Sequence, residues 1–68
     1  MRNHKKYSCI VFFPDGKPKK WRFVTELDGF AGFLNRDHSQ WTYMNVYCVQ
    51  TKEYLKRFFP HSNIPKAL

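Results

Sequence analysis

Residues 6–13, Lys-Tyr-Ser-Cys-Ile-Val-Phe-Phe, are apolar on both of their alternating sets: Tyr7, Cys9, Val11 and Phe13 on one, Ile10 and Phe12 on the other. β-branched and aromatic residues at this density predict a strand. A strand that is apolar on both faces belongs in the middle of its sheet, so the rest of the chain has to supply its neighbours.

The first neighbour follows at once. Pro14-Asp15-Gly16-Lys17 is a turn signal, with proline pre-setting φ and glycine free to take φ > 0. Beyond Pro18, Lys19 to Val24 alternate so that Trp21 and Phe23 point one way and Lys20 and Arg22 the other, a hairpin partner for the first strand. Thr25-Glu26-Leu27-Asp28 then resembles a helix start, with Thr25 as cap, Asp28 at the capping-box position and both acids at the positive end of the helix dipole. Leu27, Phe30, Ala31 and Leu34 lie on one helical face, which Phe33 widens. Residues 35–40 read as a polar loop.

Trp41 to Val49 is the second clear strand. Trp41, Tyr43, Asn45, Tyr47 and Val49 share one face, and Thr42, Met44, Val46 and Cys48 share the other. Gln50-Thr51-Lys52 reads as a tight turn into residues 53–59. That segment suits a strand or a short helix capped by Thr51, and the strand is the favoured reading. Leu55, Arg57 and Phe59 then share one face and Tyr54, Lys56 and Phe58 the other. Pro60 ends it. The expected architecture is α+β: one domain over 1–68, β-β-α-β-β, with one helix packed on one face of a small antiparallel sheet. Residues 1–5 read as a loose basic arm and 61–68 as a loose tail.

A chain of 68 residues needs large side chains to build a core, since so small a fold buries only about 60% of its unfolded surface. Seven Phe, four Tyr and two Trp meet that need, and a mean hydropathy of −0.64 leaves a polar surface around them. The formal charge is +7, distributed as +6 over 1–24, −2 over 25–40 and +3 over 41–68. The helix is slightly acidic, and the strands with their turns are basic. Such a charge favours acidic partners, although it also serves solubility alone. Cys9 and Cys48 are too few for a disulfide scaffold. No apolar run is long enough for a bilayer span or a signal h-region. The expected setting is cytoplasmic, with both cysteines as reduced core residues and no membrane partner.

Two constellations bear on function. Lys17, Lys19, Lys20 and Arg22 lie in or beside the first hairpin, and Lys52, Lys56 and Arg57 in or beside the second, a spread of cations suited to phosphates. If Met44, Val46 and Cys48 face the helix, Trp41, Tyr43 and Tyr47 lie on the open face with Lys20 and Arg22. Rings interleaved with cations on an open sheet are what single-stranded nucleic acid binding uses. The sequence therefore predicts a small basic nucleic-acid-binding accessory or regulatory protein. Its contacts would be Lys17, Lys19, Lys20, Arg22, Trp41, Tyr43, Tyr47, Lys56 and Arg57.

The alternative is a protein-interaction module, an inhibitor or adaptor of the phage or mobile-element type, docking on an acidic partner protein with the same residues. A homodimer through Trp41, Tyr43 and Tyr47 is a further way to cover these rings. No His or Cys pair has zinc spacing, and no catalytic constellation is present. The chain is therefore read as a non-enzyme without metal or cofactor.

Overall fold

The chain runs β1 (Tyr7–Phe12), β2 (Lys19–Val24), α1 (Leu27–Asp37), β3 (Tyr43–Cys48) and β4 (Tyr54–Phe58), in a computed structural model that describes residues 6–68. The expected arm at 1–5 lies outside the described residues. The four strands form one antiparallel sheet in the order β2-β1-β3-β4. The α+β architecture and its β-β-α-β-β order are as the sequence predicts, with residues 54–58 a strand. The strand that is apolar on both faces, β1, is an interior strand.

One face of the sheet carries the helix. Tyr7, Cys9 and Val11 from β1, Met44 and Val46 from β3 and Phe58 from β4 are buried against Leu27, Phe30 and Leu34 of α1. Trp21 of β2 closes that layer at one edge, its ring edge-on to Phe30 at 5.4 Å and to Phe33 at 6.0 Å. Burial pushes the Cys9 thiol up to about 12, so Cys9 stays protonated and serves as packing rather than as a nucleophile. The β1–β2 turn is built as its residues dictate: Gly16 takes φ +83 and its N–H donates to Phe13 O at 3.0 Å.

Four expectations need correction. The helix begins at Leu27 with Glu26 as its N-cap residue, and no side chain caps it. Thr25 therefore does not play the capping role. Instead the Leu27 N–H donates to the Lys66 carbonyl at 2.9 Å. The second correction follows from the same bond, because residues 61–68 are not a loose tail. Ile64 packs against the core, and the Leu68 N–H donates to the Tyr7 hydroxyl at 2.9 Å. The tail supplies a backbone acceptor to a helix start that has no side-chain cap of its own.

The other two corrections come from bulges. Tyr7 pairs with Val24 while Cys9 pairs with Trp21, so Arg22 and Phe23 together oppose Ser8. Phe23 takes φ 63, rotates away from the helix and is 59% exposed on the other face. It does not share a face with Trp21. In β4, Lys56 pairs with Val46 and Tyr54 with Tyr47, leaving Leu55 as an extra residue. Leu55 packs toward the core, and Tyr54 joins Tyr47 on the open face, its ring at 5.6 Å. Each inserted residue reverses the alternation of everything beyond it.

Candidate functional site

The face of the sheet away from α1 carries three cross-strand rows. In the first, Phe12 of β1 stacks on Tyr43 of β3 with centroids 4.6 Å apart and planes 19° from parallel. Phe59 continues this row, 6.2 Å from Tyr43 and 50% exposed. In the second, Lys20, Ile10, Asn45 and Arg57 stand in register across all four strands. Arg57 Nε donates to Asn45 Oδ1 at 2.8 Å, which holds the guanidinium 4.4 Å over the Tyr43 ring. The ring, the amide and the cation therefore act as one preorganised group. The third row runs from Arg22 and Phe23 through Ser8 to Tyr47 and Tyr54.

A concavity of ≈ 420 Å³ opens at the β2 side of this face. Ser8 and Ile10 of β1 form its floor, Phe23 and Tyr47 stand on the strands to either side, and Lys20, Arg22, Cys48, Val49 and Lys52 complete the lining. None of these residues is acidic. Among the described residues a single ion pair forms, Arg36 with Asp37 on the helix, so no carboxylate neutralises the cations of the open face.

The sequence-predicted site residues divide among four places. Lys20, Arg22, Tyr43, Tyr47 and Arg57 come together on the open face. Lys17 and Lys19 lie beside the β1–β2 turn, where they line a second concavity with Asp15 and His38. Lys19 pairs with Val11 and so projects on the helix side of the sheet. Lys56 pairs with Val46, also on the helix side, and its Nζ lies 5.7 Å from the Phe58 centroid.

Trp41 is the clear correction. It precedes β3, is 2% exposed, and its Nε1 donates to Asn35 Oδ1 at 2.9 Å beneath the helix. It can stack on nothing from solvent. The residues that sequence reasoning missed are Phe23 and Tyr54, turned outward by the bulges, and Phe59 just past β4. Phe12 was missed too, although the sequence places it on one face of β1 with Ile10, and Lys52 was legible as a cation beside the second hairpin.

No helix among the described residues is long and apolar enough to cross a membrane. No protein-family model, curated protein or solved structure matches this chain.

Proposed function

We propose that the open face binds single-stranded nucleic acid, DNA or RNA, and that the protein acts as a small accessory or regulatory factor on it. One observation carries this reading: half-buried and exposed rings stand beside Lys20, Arg22, Lys52 and Arg57 with no acid among them. Bases stack on Phe12 and Phe59, which flank the Tyr43–Arg57 pair, and the cations track the backbone. The reduced, buried Cys9 and Cys48 suit a cytoplasmic setting.

The test is a titration with a single-stranded oligonucleotide between about 50 and 200 mM salt. Four phosphate contacts give a slope of log K against log salt of about −3. Arg57→Ala lowers that slope by about 0.7 and removes the cation over Tyr43, whereas Lys56→Ala, on the helix side, leaves the slope unchanged. Absence of binding at low salt, or equal losses in both variants, refutes the reading. A partner that stays bound after nuclease treatment makes the same face a protein interface.

A further inference from the structure

The two non-glycine residues with positive φ among the described residues, Phe23 at 63° and Lys52 at 64°, both line the ≈ 420 Å³ concavity. A bulky aromatic in the left-handed region is a backbone outlier, and such positions persist only where the surrounding structure enforces them. Phe23 lies in the edge strand β2 and Lys52 between β3 and β4, yet both line one hollow. The bulge that strains Phe23 is also what turns its ring out of the core.

The dimensions of the hollow indicate what it holds. Phe23 rises from β2 and Tyr47 from β3, on either side of β1, where Ser8 opposes both and leaves the space between them open. Strands two apart are separated by about 9.5 Å. A flat ring stacked between two others needs about 4.5 Å to each centroid, or about 9 Å in all. The cations Lys20, Arg22 and Lys52 line the hollow, and Lys6 Nζ sits 5.3 Å from the Phe23 centroid. A flat aromatic group carrying negative charge matches both the spacing and the charge.

Resting on the single-strand reading of this face, we propose that the hollow is a base-extrusion subsite. One nucleotide of a bound strand inserts its base between Phe23 and Tyr47, with its flanking phosphates on Lys20, Arg22 and Lys52. The stacked row of Phe12, Tyr43 and Phe59 supports its neighbours in the strand.

Phe23→Gly isolates the proposal. Glycine takes φ 63 without strain, and the ring it removes is 59% exposed, so this variant keeps its fold and its melting temperature does not fall. Binding is read with a single-stranded oligonucleotide carrying one 2-aminopurine. Wild type quenches that base strongly. Phe23→Gly and Tyr47→Leu weaken binding roughly 5- to 150-fold, the loss for one stacked base, and abolish the quenching. If wild type binds no single strand, the reading of the whole face fails. If wild type binds and Tyr43→Ala weakens it while Phe23→Gly leaves affinity and quenching intact, the stacking platform stands and the base-extrusion subsite is overturned.

Discussion

Trp41 offers a direct separation of packing from recognition, because its ring is buried and its one polar atom has a defined partner, Asn35 Oδ1 at 2.9 Å. Trp41→Phe keeps most of the ring but leaves the Asn35 carbonyl oxygen without its donor in a part-buried setting. The expected cost is about 1–3 kcal/mol, the penalty for an orphaned acceptor plus lost packing. A domain of this size has a total stability of roughly 3–10 kcal/mol. The change therefore lowers the melting temperature by about 4–8 °C for each kcal/mol lost. Trp41→Ala costs about 3–5 kcal/mol, roughly a third of that stability or more.

The assay is urea denaturation of the wild type, Trp41→Phe, Asn35→Ala and the double variant. The cycle isolates a coupling of about 0.5–1.5 kcal/mol if the hydrogen bond is real. Oligonucleotide affinity is measured on the same proteins, at a temperature where each is folded. Trp41→Phe must then bind like the wild type, because no part of the indole reaches the open face. A coupling below about 0.3 kcal/mol, which is within ordinary additivity, refutes the packing account. So does a loss of affinity in the folded variant.

Two further outcomes follow from the core and the tail. The folded chain holds the Cys9 thiol protonated up to about 12, whereas the unfolded chain releases that proton near 9.0, so above pH 9 the native state binds more protons. Cys9 therefore contributes stability that is complete below pH 9 and lost as pH rises toward 12, at up to about 1.4 kcal/mol per pH unit. Denaturation of wild type and Cys9→Ala across pH 8–11 should show their difference shrinking with pH, and parallel profiles would contradict the burial argument. Tyr7→Phe removes the hydroxyl that accepts the Leu68 N–H, which costs about 0.5–1.5 kcal/mol and loosens the segment whose Lys66 carbonyl accepts from Leu27. Amide exchange at Leu27 should accelerate in this variant, and unchanged exchange would show that the tail does not hold the helix start.

The interior of the fold was legible because it follows simple periods. The double apolar pattern of residues 7–12 requires neighbours on both sides, and Leu27, Phe30, Ala31 and Leu34 recur at helical spacing and are the buried face of α1. The open face was legible where the period of two is unbroken, at Lys20, Tyr43, Tyr47 and Arg57. It failed at Phe23 and Tyr54, because an inserted residue shifts register without any composition that marks it. Trp41 failed for another reason. Its alternation with Tyr43 is real in the sequence, but the strand starts at Tyr43, and the Trp41 N–H donates to His38 O instead of joining the ladder. The tail was unreadable because one isoleucine and a few backbone groups hold it, and these leave no pattern.

The two bulges have a consequence beyond the side chains they turn. Both inserted residues lie in the outermost strands, β2 and β4, and Pro18 and Pro60 stand immediately outside β2 and two residues beyond β4. An edge strand is a template on which another chain can add a strand, and bulges, prolines and lysines all spoil that template. Lys19, Lys20 and Lys56 add charge to the same two borders. For so aromatic a chain the hazard is continuous sheet growth from one copy to the next, as in fibrils. Here both margins of the sheet carry features that discourage extension. Hydrogen-bonded strand addition from one copy to the next is therefore disfavoured at either border.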